Sequence, residues 1–285
     1  MHTAFSRRVV ALALSSLSLV IRCPAQQPRV LVALDEAAAT ELVLAGSYRC
    51  ELQDREADED SKPVLVPGVW QGPFELLRAK SGDLLSSGQG KASFAVLTRR
   101  DQSVVEARLG AESIDLALLT GVLPNVFDLA PLRKWVLRAA SRGRVDARKS
   151  STVEDGLLVR IALPARALMS RDVGTDNDSD KDDDAESDAS GTERRASLAR
   201  FEGAKLEITI DGKNRLVGLR LEIVEVALEE ALAKASPEGD LDLELFNEAR
   251  ERYRRVHVFE LQRREREAAA TRAALGRLEA HVDRD

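Results

Sequence analysis

Histidine and cysteine are scarce in this 285-residue chain: there are three of the first and two of the second. His2 sits at the extreme N-terminus, and His257 and His281 are too far apart for the i, i+4 pair of a helical metal site. A zinc centre built on His or Cys is therefore excluded, and no metal site or cofactor is assigned. A Ser-His-Asp or Cys-His arrangement has only these same histidines to draw on, and no GxSxG turn is present. The glycines of "SSGQGKAS", Gly88 and Gly90, do not continue into a phosphate loop or a dinucleotide fingerprint and read as a turn. Paired carboxylates can hydrolyse a glycosidic bond, but aromatic residues are only 4% of the chain, which leaves few rings to stack on a sugar. No catalytic residue is assigned, and the ligand-binding residues are unknown.

Long apolar runs are missing too, with one exception. "MHTAFSRRVVALALSSLSLVIRCPAQQ" has a positive start at Arg7 and Arg8, an apolar run from Val9 to Ile21, and small residues at Cys23 and Ala25. This is the layout of a secretory signal peptide, residues 1–25, cleaved after Ala25. The run is shorter than the ~20 apolar residues of a membrane span. Arg22 stands where a small residue precedes a lipidated cysteine, so lipidation at Cys23 is disfavoured. The expectation is an exported protein of the periplasm or cell envelope, with no membrane span after cleavage. Only Cys50 remains in the mature chain, so no internal disulfide can form and stability must come from the apolar core. In "GSYRCEL", Cys50 reads as a buried structural thiol.

Charge is unevenly placed. Loss of Arg7, Arg8 and Arg22 with the signal takes the net charge from −6 to −9. The stretch from Asp172 to Asp188 carries nine carboxylates and one lysine, which is −8, so the rest is close to neutral. No basic footprint for nucleic acid is left. The acidic stretch fails the calcium-loop pattern: begun at Asp182 it has Asp184, Glu186 and Glu193 in place, but Ser187 where glycine is required. Packed like charges without apolar residues predict a disordered, solvating insertion at about 171–197.

The remaining pattern is mixed. Asp35 is a plausible cap for a short helix, followed after Gly46 by the "SYRCEL" strand. "PFELLRA", "KASFAVLT" and "SVVEARLG" alternate as strands with turns between them. "AESIDLALLTGVL" and "DLAPLRKWVLRAASRG" read as helices, the second capped at Asp128 with Leu129, Leu132, Trp135, Val136 and Ala139 along one stripe. Trp135 is assigned to the core, and Trp70, in "PGVWQGPF", to packing. "GRVDARKS" and "DGLLVRIALP" return to strand. "AKLEITIDGKNRLVGLRLEIV" is the clearest hairpin, with Leu206, Ile208 and Ile210 on one arm, Val217, Leu219, Leu221 and Ile223 on the other, and a turn at Asp211 to Asn214. From 228 to 285 the composition is helix-forming and densely charged. Phe246, Ala249, Tyr253 and Val256 fall at three-four spacing, as do Ala268, Thr271, Leu275, Leu278 and Val282.

The expected fold is α+β: a curved antiparallel sheet packed by helices over 26–227, plus a charged helical region over 228–285. The element order from the "SYRCEL" strand to the "IDGKNRL" hairpin resembles the half-barrel of LolA/LolB-like periplasmic lipoprotein carriers, over roughly Asp35 to Val226. That resemblance implies a non-enzymatic protein holding an apolar ligand, a lipid or lipoprotein acyl chain, between sheet and helices. It carries no motif and assigns no residue. Two other readings stand beside it: an envelope structural or interaction protein that binds a partner or itself through the C-terminal helix, and a carboxylate-based hydrolase. Deletion of Asp172 to Asp188 is expected to leave the fold intact. A large loss of melting temperature in calcium-free buffer contradicts the reading of that stretch.

Overall fold

The computed structural model describes residues 27–57, 62–88, 93–100, 104–109, 115–142, 144–169, 200–237 and 242–264. The signal segment, the acidic stretch and the stripe from Ala268 to Val282 lie outside the described residues.

One helix, α1 (Gln27–Ala39), leads into β1 (Leu42–Asp54). Next come β2 (Val64–Leu65), β3 (Gly72–Arg78), β4 (Leu84–Gly88), β5 (Ser93–Thr98) and β6 (Val104–Leu109). A π-helical turn, Leu118–Val122, runs into α2 (Leu123–Phe127) and α3 (Leu129–Ser141). The second half holds β7 (Val145–Lys149), β8 (Leu157–Pro164), α4 (Ala165–Met169), β9 (Phe201–Ile210), β10 (Leu216–Val226), α5 (Leu228–Ala235), α6 (Leu243–Arg252) and β11 (Tyr253–Arg263). All described strands join one open antiparallel sheet in the order β6-β5-β4-β3-β1-β11-β10-β9-β8-β7, with β2 paired to β1 off this path. It is not closed into a barrel.

The order has a simple logic. Each half is a meander of sequential antiparallel neighbours, with one long connection, between β8 and β9. The helices from the π-turn to α3 carry the chain from the β6 edge to the β7 edge. The last strand, β11, then inserts between β1 and β10, pairing Leu44 to Asp54 on one side and Gly218 to Val226 on the other. Among the described residues, the helices from α1 to α3 cover one face of the sheet. Val30 and Leu34 of α1, Leu118 to Val126, and Leu132 and Trp135 of α3 pack on Leu44, Phe74, Val96, Ile161, Ile208 and Leu221. The opposite face carries cross-strand ion pairs: Arg49 with Glu260 at 3.2 Å, Arg220 with Glu260 at 3.2 Å, and Arg160 with Glu207 at 2.6 Å. This is the two-sided character expected of an antiparallel sheet.

Most sequence expectations survive, and the exceptions are local. The α3 stripe is buried as read, including Trp135, whose ring centroid has the guanidinium groups of Arg138 and Arg166 at 5.4 and 5.3 Å. Trp70 is 1% exposed and stacks on Tyr48 with centroids 5.9 Å apart. Strands β8 and β9 pair, so the acidic stretch does connect sheet neighbours. Asp35, however, lies inside α1, which begins eight residues earlier at Gln27; no cap is needed there. Gly46 does not end a helix. It is mid-strand in β1, where a Cβ would stand 1.8 Å from the carbonyl oxygen of Glu260. In β10 the register shifts between Leu216 and Gly218, which turns Leu216 inward and leaves Val217 half-buried.

The larger correction concerns 228–285. Helix α6 is real, with Asp242 accepting from the N–H groups of Glu244 and Leu245 at 3.0 and 3.1 Å. It stops at Arg252, and Tyr253–Arg263 is the central strand. Helical spacing read through Tyr253 and Val256 was a coincidence of short range; Val256 and Val258 alternate with His257 and Phe259, and both neighbouring strands offer unpaired backbone. Gly46→Ala is expected to destabilise the protein by about 1–3 kcal/mol through the clash with β11, measured by urea unfolding.

Candidate functional site

At the middle of the helix-covered face, β1, β10 and β11 bring polar groups together. Pairing sets Cys50 opposite His257, Ile223 opposite His257, and Glu225 opposite Arg255. Because side chains alternate, Tyr48, Cys50, Glu225, Arg255 and His257 all project to this one face. The Tyr48 hydroxyl lies 3.0 Å from His257 Nδ1, and His257 Nε2 lies 2.6 Å from Glu225 Oε2. His257 and Glu225 are each about as buried as the apolar core around them, at 2% exposure. Arg200, just before β9, reaches from above: its guanidinium contacts Asp115 and stands 3.2 Å from Glu225 Oε1. Arg255 lies 3.9 Å from the same oxygen and holds Glu230 and Glu229 of α5 at 2.7 and 2.5 Å.

Electrostatics sort these groups. Burial pushes the Glu225 carboxyl up, but the His257 hydrogen bond and the cations Arg200 and Arg255 outweigh it and hold it below the usual carboxylate range. Burial pushes the Cys50 thiol up to about 12, assisted by the nearby Glu225 and Glu230 charges against the pull of Arg255. Burial, with Cys50 and Glu225 beside it, also holds the Tyr48 phenol well above its ordinary value. At neutral pH, then, Glu225 is charged while Tyr48 and Cys50 keep their protons. Both ring nitrogens of His257 are thereby partnered, Nδ1 by the Tyr48 hydroxyl and Nε2 by the Glu225 carboxylate. Neither Cys50 nor Tyr48 is prepared as a nucleophile, which agrees with the structural thiol expected from sequence.

Asp115, Glu225 and His257 place one donor atom each within 4.8 Å of one another. Two carboxylates and an imidazole suit a first-row divalent metal. The charge balance, however, is already met by Arg200, which bridges Asp115 and Glu225. The cluster is best understood as an ion network that ties the start of the helical crossover, the entry to β9 and α5 to the centre of the sheet. Sequence reasoning placed His257 on a charged helix and missed it. The available signal was the alternation Arg255, His257, Phe259, Leu261 against Val256, Val258, Glu260.

A second feature lies on the opposite, ion-paired face. There a groove of ≈ 570 Å³ is lined by Val64, Val224, Val256 and Val258 together with the charged Glu51, Asp54, Arg55, Lys62, Lys205 and Glu222. A neighbouring depression of ≈ 370 Å³ is lined by polar groups such as Glu207, Thr209 and Arg220. The interval between sheet and helices, where an apolar ligand was expected from sequence, holds the buried core described above. No protein-family model matches the chain, and no match is found among curated proteins.

Glu225→Gln is expected to cost roughly 2–4 kcal/mol at pH 7, because Arg200 and Arg255 lose their buried counter-charge. The depressed carboxyl pKa contributes stability above the unfolded value of 4.5 and loses it as pH falls through the lower folded value. The gap between variant and wild type therefore narrows in unfolding curves taken below pH 4.5.

Proposed function

We propose that the protein is an exported, non-enzymatic binding protein that takes an apolar or lipid-like ligand against the open face of its sheet. The observation that carries this reading is the groove of ≈ 570 Å³ with valines in its lining. Its size falls in the ~300–1,000 Å³ range of small-molecule sites. An acyl chain packed in this groove against Val64, Val224 and Val256 gains about 0.8 kcal/mol per buried CH₂. Lys62 and Lys205 in the lining suit an anionic head group such as a carboxylate or phosphate. The N-terminal "RRVVALALSSLSLVIRCPA" supports export.

A second reading, an interaction protein working through its C-terminal helices, is favoured by a separate observation. Four leucines on and beside these helices face solvent: Leu228 at 43%, Leu232 at 46%, Leu243 at 64% and Leu245 at 42%. Exposed apolar side chains gathered on one helical pair suit a protein contact. Removing everything after Gly239 does not test that contact, because the deletion also removes β11.

A fluorescent fatty acid titrated into the protein is expected to bind saturably in the micromolar range. Val256→Thr keeps the shape of the lining but adds a hydroxyl, and should weaken binding about tenfold. Lys205→Glu should weaken a carboxylate ligand and spare its methyl ester. Absence of saturable binding, or affinity indifferent to both substitutions, overturns the reading.

A further inference from the structure

At the other end of the open face, four apolar residues form one row across neighbouring strands. Val43 of β1 is in register with Leu77 of β3, Leu77 with Leu85 of β4, and Leu85 with Leu97 of β5. Alternation puts them on the face away from the helices: their strand neighbours Leu44, Leu76, Leu84 and Val96 belong to the helix-covered core, and the four do not. Yet Leu77, Leu85 and Leu97 are only 2%, 1% and 2% exposed, and Val43 is 8% exposed. A row of leucines on an outer sheet face is covered only if chain lies across it. Among the described residues, no helix packs there.

The chain leaves β11 at this same place. Arg263 pairs with Leu44, and the Arg264 N–H donates to the Val43 carbonyl at 3.0 Å. Residues 265–285 follow directly, and their sequence sets Ala268, Thr271, Leu275, Leu278 and Val282 at three-four spacing among charged residues. The row from β1 to β5 crosses three strand intervals, about 14 Å. A helix of this segment's length reaches about 30 Å, enough to span it. Among the described residues the valine-lined groove lies toward the other end of β11 and the positions between carry the Arg49, Arg220 and Glu260 ion pairs, so the row is the apolar surface beside the exit that such a stripe matches.

We propose that residues 265–285 dock on the Val43-Leu77-Leu85-Leu97 row and close the second face of the β1-β3-β4-β5 half of the sheet. The segment is thus an intramolecular cover rather than a dimerising coil. This rests on the exit geometry and the covered row, and is independent of the ligand proposed for the valine-lined groove.

The test uses the full chain with Ser87→Cys, a half-buried position on the same face as Leu85, and Cys23→Ser. The rate of thiol labelling is compared with that after adding Leu275→Glu and Leu278→Glu. Docking predicts labelling about tenfold faster in the charged variant, at a rate independent of protein concentration, while buried Cys50 stays unlabelled. Labelling of Cys50 signals global unfolding; Leu275→Ala with Leu278→Ala then replaces the charged pair and is read the same way. Unchanged labelling of Ser87→Cys in a folded variant overturns the proposal. Protection that grows with protein concentration also overturns it, since the cover is then a second copy. Removal of residues 1–25 is expected to leave the rate unchanged; acceleration by that removal assigns the row to the N-terminal apolar run instead.

Discussion

The whole architecture depends on the seating of β11 between β1 and β10. Among the described strands, the two meanders, β1 to β6 and β7 to β10, have no pairing to each other except through it. Both of its edges are fully engaged, eleven register pairs with β1 and nine with β10. Every other feature follows from that insertion. It continues the apolar face under the helices with Phe259 and Leu261, sets His257 beside Tyr48 and Glu225, and supplies Val256 and Val258 to the open face. A strand added last in sequence but central in space also gives the protein many long-range contacts, the kind that are made late and slowly in folding.

The buried network fits this role. Isolated in an apolar core, His257 and Glu225 carry a desolvation cost that hydrophobic residues would avoid. Here they are met by Tyr48 from the strand on one side and by Arg200 and Arg255 around them. The network draws on separate pieces of chain: Tyr48 of β1, Glu225 of β10, His257 and Arg255 of β11, Arg200 at the entry to β9, and Asp115 before the crossover helices. The pairing of these groups therefore favours one register of β11 over a slip of a single residue, which would turn His257 to the open face and Val258 to the core. On the open face the ion ladder of Arg49, Glu260 and Arg220 has the same effect, since its members alternate in sign across the strands.

How much of this was legible in the sequence depends on range. The α+β class, the β9–β10 hairpin and the α3 stripe follow from patterns within about twenty residues, and Leu206 to Ile210 and Leu129 to Ala139 are buried accordingly. The limits of local reading show at Asp35 and Gly46, where cap and terminator chemistry pointed to a helix end that tertiary structure does not place there. They show again at Tyr253, where helix-forming residues continue past the point at which two open strand edges capture the chain. The register shift at Leu216 is a similar case: the alternation Val217, Leu219, Leu221 looked regular, and only the turn geometry displaced its first member. The candidate sites were invisible for a further reason. Tyr48, Asp115, Arg200, Glu225 and His257 span over two hundred positions, and nothing in their local spacing announces that they meet.

The central claim is that β11 is the keystone of one cooperative sheet rather than a terminal appendage. Native-state hydrogen exchange of the full chain tests it most directly. The amides of His257 to Leu261 are predicted to be among the slowest and to exchange only through global unfolding, together with those of Tyr48 and Leu221. Exchange of β11 through a lower-energy opening, while β1 and β10 remain protected, would contradict the account.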